Sequence, residues 1–251
     1  MSPLGRCKKC NENRKLIDAH IIPASFYRSI KGRDPRPLKV ISIHPEVPHQ
    51  KSHIGIYDQG LLCEECEPSF GDWDAYGKTV LLTQDLERRI VKEEDGTALG
   101  YEIHGIDYNQ LKLFFLSVLW RAHCSSHDYF KGVDVGPFES RLKTMVDMAD
   151  PGQPQEFAVL ISEFIFPHAP IMIKPFQTKM DGINFIAVSL GKHEAMIKVD
   201  KRPYDGGTCI LQSNTPLAVI FREFGASRHE KALIEAIRNR LRKKRLYGKP
   251  I

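Results

Sequence analysis

The chain has 251 residues, 42% of them apolar. That is room for one large domain or two small ones and enough for a packed core, which excludes a wholly disordered chain. The most apolar run, Leu111 to Trp120, contains Lys112 and falls short of the roughly 20 residues a membrane span needs, and the start Met1-Ser2-Pro3-Leu4-Gly5-Arg6-Cys7 has no apolar export signal, so a cytoplasmic protein with no membrane partner is expected. The formal net charge of +5 is uneven: residues 228–251 hold nine Lys or Arg against two Glu, so this segment carries +7 and the rest of the chain −2. Such an asymmetry points to a localised contact with a polyanion.

Taken in chain order, residues 1–75 are rich in Cys, His and Pro and poor in apolar periodicity, so a metal staple is expected in place of a core of their own. The pairs Cys7-Lys8-Lys9-Cys10 and Cys63-Glu64-Glu65-Cys66 supply four thiolates, the closed tetrahedral shell that structural Zn2+ prefers. In a reducing compartment this reading outweighs disulfides. Cys124 and Cys209 lack such partners and read as buried free thiols.

Residues 76–150 read as helical. Asp74 is placed to cap a helix running to about Val91. Asp107 is placed to cap a second, with Leu111, Phe114, Phe115, Val118 and Leu119 on its buried side. Pro137 suits the first turn of a third helix ending near Met148, and Asp150-Pro151-Gly152 breaks the pattern.

Residues 151–251 read as a β-rich region closed by a basic helix. Strands are predicted at 171–173, 183–189, 195–199, 209–212 and 217–221, with turns at Asp181-Gly182 and Leu190-Gly191-Lys192. The apolar run Phe157 to Phe166 suits a buried strand or a helix. From about Ser227, Ala232, Leu233, Ile237 and Leu241 form an apolar helical stripe opposite the arginines. Helices and strands that are segregated along the chain argue an α+β fold.

Between the two cysteine pairs lies Leu16-Ile17-Asp18-Ala19-His20-Ile21-Ile22-Pro23, and the second pair follows Leu61-Leu62. A strand ending in histidine and Ile-x-Pro, set between two zinc-binding C-x-x-C pairs, resembles the HNH or ββα-metal endonucleases. The resemblance covers about residues 5–75. It implies an N-terminal zinc-stapled, treble-clef ββα-metal module with His20 as the general base of phosphodiester hydrolysis and a Mg2+ or Mn2+ ion nearby. It also implies Asp58, at the middle position of the motif, and Glu67, directly after Cys66, as catalytic groups and ligands of that ion. The family often has Asp or His where this chain has Ala19, so Asp18 is a substitute ligand or a solvated turn residue. Asp72 and Asp74 are further options.

Of the remaining histidines, His53 could join the metal site, whereas His44 and His49 read as loop residues. His123 and His127 are spaced to share a helix face, but without an acidic third ligand they read as helix-end polar residues. Arg238, Arg240, Arg242, Lys243, Lys244 and Arg245 are the candidate contacts to nucleic-acid phosphates, an interaction without sequence readout and sensitive to salt.

The sequence therefore suggests a metal-dependent DNA endonuclease, with double-stranded DNA as the favoured partner. A weaker resemblance of residues 112–121 and 128–130 to HNH proteins of bacterial genome-defence loci suggests an anti-phage effector with a partner ATPase or sensor. The alternatives are a non-catalytic zinc module that binds nucleic acid or protein, or an RNase.

Overall fold

Local sequence chemistry explains most of the elements in the computed structural model. It describes residues 4–31, 38–41, 50–52, 55–165, 172–223, 225, 231, 234 and 235. The N-terminal part holds β1 (Leu4–Arg6), β2 (Asn13–Lys15), β3 (Ala19–His20), α1 (Ala24–Lys31), β4 (Leu38–Ile41), β5 (Gln50–Ser52) and β6 (Tyr57–Asp58). A 3-10 turn at Glu67–Phe70 leads into α2 (Gly71–Leu82), followed by β7 (Arg88–Lys92), β8 (Ala98–Ile103), α3 (Tyr108–Cys124) and α4 (Glu139–Asp147). The remaining strands are β9 (Val159–Ile165), β10 (Met172–Ile173), β11 (Phe176–Met180), β12 (Ile183–Leu190), β13 (His193–Lys198) and β14 (Leu217–Glu223). The result is a mixed α+β fold. Among the described residues, no helix is long and apolar enough to cross a membrane.

The largest sheet has seven strands in the order β11-β12-β13-β9-β14-β8-β7. All its neighbours are antiparallel except β9 and β14, which run parallel. Asp181-Gly182 turns β11 into β12 and Gly191 turns β12 into β13, each Gly with a positive φ (78° and 70°), as predicted. Register lines up Val188, Ala195, Ile161, Val219 and Tyr101 across five strands, and all five are buried in the core that also contains α3.

Helix α3 is the centre of that core. The Asp107 carboxylate caps it by accepting from the Gln110 N–H at 3.1 Å, as the sequence suggested. Burial does not stop at one stripe: every residue from Leu111 to Ala122 is buried, because α2, α4 and β13 pack around the helix. The polar residues in this stretch must therefore find partners inside the protein. Lys112 Nζ donates to the carbonyls of Glu156 and Phe157, both at 2.8 Å, and pins the segment that enters β9. Phe157 is held there with φ 47°, a left-handed conformation that is costly for a bulky residue.

Three sequence expectations change. The helix predicted to run from Asp74 to Val91 starts earlier, at Gly71, and ends at Leu82. Arg88 folds back to donate to the carbonyls of Val80 and Thr83, both at 2.8 Å, which closes the helix end and frees residues 88–92 to pair as β7. Residues 209–212 form no strand: a 3-10 turn at Gly207–Cys209 is followed by a single bridge from Ile210 to Leu160. The run from Phe157 becomes strand β9, between β13 and β14. The third predicted helix stands as α4, with Pro137 in the 3-10 turn before it.

Burial pushes the Lys112 amine down to about 7, against the opposing pull of Glu156. The unfolded chain, with Lys near about 10.4, then holds a proton that the folded chain lacks between about pH 7 and 10. Stability should rise with pH across that window. Urea unfolding at pH 7 to 9.5 should show the midpoint rising in the wild type relative to Lys112→Met. Parallel pH profiles for the two proteins would mean that Lys112 stays charged when buried.

Candidate metal centre and histidine ribbon

The four predicted zinc cysteines come together. The β1–β2 hairpin turns at the Cys7–Cys10 knuckle, closed by Cys7 N–H to Glu12 O at 2.9 Å and Asn11 N–H to Cys7 O at 2.8 Å. The second pair docks on this hairpin through the backbone: Lys8 N–H donates to Leu61 O, Ile17 N–H to Leu62 O, and Leu16 bridges Cys63. All four Sγ atoms lie within 4.8 Å of one another. Cys10 and Cys63 Sγ are 4.0 Å apart, close to the roughly 3.8 Å edge of a tetrahedron with metal–sulfur bonds of about 2.3 Å.

The electrostatics fit a cation. Although burial opposes ionisation, N–H groups of Cys10, Cys63 and Lys9 bring the Cys7 thiol down to about 7. Burial and the neighbouring sulfurs push Cys66 far up. Four thiols this close cannot all ionise without a positive charge among them, which a bound Zn2+ would supply. Bound there, zinc would tie the β1–β2 hairpin to the start of the 3-10 turn and α2.

His20 ends β3, which pairs with β6 over two residues: Ala19 opposite Asp58 and His20 opposite Tyr57. Directly opposed residues share a face of a ribbon. His20 and Tyr57 therefore share one face, with ring centroids 6.2 Å apart, and Ala19 and Asp58 share the other. His20 is half-buried and Ala19 is fully buried.

The structure does not bring the predicted catalytic set together. Asp58 is buried on the face away from His20, and its carboxylate is already engaged. Oδ2 accepts from Ser125 Oγ at 2.7 Å, the Ser126 N–H at 2.8 Å and Ser126 Oγ at 3.3 Å, and Oδ1 accepts from the Gly60 N–H at 2.7 Å. Burial alone would raise this carboxyl, but the hydrogen bonds outweigh it and hold it below the usual carboxylate range. Asp18 is exposed, and Glu67 is half-buried at the head of the 3-10 turn. Asp74 is paired with Arg121 at 2.6 Å. Among the described residues, the four cysteines are the one group of three or more His, Cys, Asp or Glu side chains whose ligand atoms converge. Among the described residues, no ready shell for an ion stands beside His20.

His123 and His127 behave as helix-end polar residues. Nδ1 of His123 accepts from the Val135 N–H at 3.4 Å, and Nδ1 of His127 from the Tyr129 N–H at 3.1 Å. Cys124 and Cys209 stand outside the four-cysteine group and are half-buried rather than fully buried. His44, His49 and His53, and the basic residues Arg238, Arg240, Arg242, Lys243, Lys244 and Arg245, lie outside the described residues.

Sequence reasoning missed a buried polar cluster on the large sheet. Tyr101 OH donates to Glu163 Oε2 at 2.6 Å, and His193 Nε2 lies 3.0 Å from the same phenol oxygen. Since the phenol proton is given to Glu163, Nε2 must carry the imidazole hydrogen. The buried Nδ1 then keeps a lone pair without a partner, and burial holds His193 below its usual range. Missed too were Arg121, Ser125 and Ser126. A charge inside the apolar run of α3 was the available signal for Arg121. Nothing local marks the serines.

The chain matches no family model, curated protein or solved structure.

Elemental analysis of the purified protein should find one zinc per chain, lost in Cys63→Ser together with a lower melting temperature. Asp58→Ala should destabilise the fold by about 2–3 kcal/mol, because four donors from Gly60, Ser125 and Ser126 lose a charged, buried acceptor. The Asp58 carboxyl lies lower in the folded than in the unfolded chain, so its stabilisation is present above about pH 4 and lost below it. Acid unfolding of Asp58→Asn should therefore lose part of the wild-type pH dependence.

Proposed function

We propose that this chain is a metal-dependent endonuclease that hydrolyses DNA phosphodiester bonds, with His20 as the general base. The observation that carries the reading is the ribbon. A zinc-stapled hairpin leads directly into a two-residue strand whose terminal His20 shares a face with Tyr57, opposite the face that buries Ala19 and Asp58. A half-exposed imidazole on a rigid support is what activating a water molecule requires.

In this chemistry His20 takes a proton from water, the hydroxide attacks phosphorus, and the 3′ oxygen leaves, so the product keeps a 5′-phosphate. Mg2+ or Mn2+ supplies charge neutralisation at the phosphate when bound. Glu67 and Asp18, neither of which is buried, are the candidate ligands. Asp58 instead supports the ribbon from behind. The basic segment 238–245 would hold double-stranded DNA through its phosphates. Control by a partner ATPase or sensor in anti-phage defence extends the same proposal.

A second reading is favoured by the engagement of Asp58 and by the lack of a converged second metal shell among the described residues. In it the zinc module binds nucleic acid or a protein without cutting.

A plasmid-nicking assay separates the two. The nuclease reading expects nicking in Mg2+ or Mn2+ that falls at least about 100-fold in His20→Ala, with zinc content unchanged. Cleavage of RNA in place of DNA would reassign the substrate to an RNase. Absence of cleavage of either polymer, or normal cutting by His20→Ala, would leave the binding module.

A further inference from the structure

Arg121 lies in the last turns of α3, with its side chain 3% exposed. A guanidinium has five N–H donors, and each has an acceptor here. Nε donates to Ser117 O at 3.3 Å. Nη1 donates to His20 O at 3.0 Å and Asp74 Oδ2 at 2.9 Å. Nη2 donates to Asp74 Oδ1 at 2.6 Å and Ser117 Oγ at 3.2 Å. The guanidinium also sits 4.9 Å over the Phe70 ring.

A buried ion pair is a poor source of net stability, since apolar side chains of similar volume often serve as well or better. What this one adds is a grip on a backbone atom 101 residues away in sequence. That atom is the carbonyl of His20, at the end of a strand with only two paired residues and shortly before Pro23, which has no N–H to give. So short a ribbon cannot set its own geometry. Both of its strands are held from the same helix end: β3 by Arg121, and β6 by Ser125 and Ser126 through Asp58.

We propose that Arg121 is a positioning residue for His20. By fixing the peptide that follows His20, it sets the position and angle at which the imidazole meets a phosphodiester. This rests on the reading of His20 as general base. Arg121 touches no substrate, so its effect falls on turnover rather than binding. Displacement of a catalytic group by about 1 Å can cost on the order of 100-fold in rate. Asp74 pairs with the guanidinium through both of its oxygens and so orients it. Lysine, with three donors, cannot make the same set of bonds.

The test uses full-length, zinc-loaded protein. Arg121→Met combined with Asp74→Leu removes both charges and keeps the volume, so the fold is expected to persist, as judged by zinc content and thermal melting. In it, the imidazole NMR resonance of His20 should shift. The kcat for plasmid nicking should fall about 10- to 100-fold while KM stays within about twofold. Arg121→Lys should give a smaller change of the same kind, and it carries the test if the double variant loses zinc or unfolds. A folded variant whose His20 resonance matches the wild type, or whose kcat is unchanged, overturns the proposal. Should the wild type cut neither DNA nor RNA, the nuclease reading falls, and the His20 resonance alone decides whether Arg121 holds the ribbon.

Discussion

A helix buried on every side carries polar groups at a cost unless they are answered from within the protein. Helix α3 answers Lys112, Ser117 and Arg121 in this way, though not the indole N–H of Trp120, and much of the architecture follows from how it does so. Lys112 draws in the carbonyls of Glu156 and Phe157 and so fixes the approach to β9. Ser117 supports the guanidinium of Arg121. Arg121 reaches α2 through Asp74 and β3 through His20. The helix that reads as a plain core element is also the part through which the N-terminal segment with its four cysteines and the sheet are joined.

The four cysteines solve the opposite problem. Around them, β1 and β2 are three residues each and largely exposed, so apolar burial is thin. A metal bond concentrates in one point the cohesion that a small core could not provide. Deeper in the same segment, Ile21, Ile22, Phe26, Leu61 and Leu62 join the main core, and Phe26 stacks on Phe114 of α3 at 5.6 Å. With a metal bound, the N-terminal segment would thus be cross-linked at its tip, as it is packed at its base.

What could be read from the sequence was local in origin. The C-x-x-C spacing, the Asp107 cap, the Pro137 turn and the two glycine hairpin turns all act over a few residues. They reappear as the cysteine cluster, α3, α4 and the β11–β12–β13 meander. What could not be read depends on distant partners. Arg88 ends a helix whose last carbonyls lie five to eight residues back, and residues 88–92 become a strand only because β8 is beside them. Asp58 looked like a free carboxylate because its acceptance from Ser125 and Ser126 spans 67 and 68 residues. The candidate site was legible as a list of residue types, but which carboxylates were already engaged was not.

The parallel contact between β9 and β14 bears on how the molecule is made. Within the large sheet, one block of four strands comes from residues 159–198 and another of two from residues 88–103, and β14 lies between them. Among the described residues, the two blocks share no backbone ladder; each pairs with Leu217–Glu223, and Tyr101 reaches across to Glu163 and His193 by its side chain. During synthesis the sheet therefore stays in two pieces until residue 223 has emerged. Such late, long-range closure is slow compared with helix or hairpin formation. Helix α3 does not wait for it: α2, α4 and β13, and the partners of its buried lysine and arginine, are all encoded before residue 199, so the helix can be sheltered before the two halves of the sheet are joined.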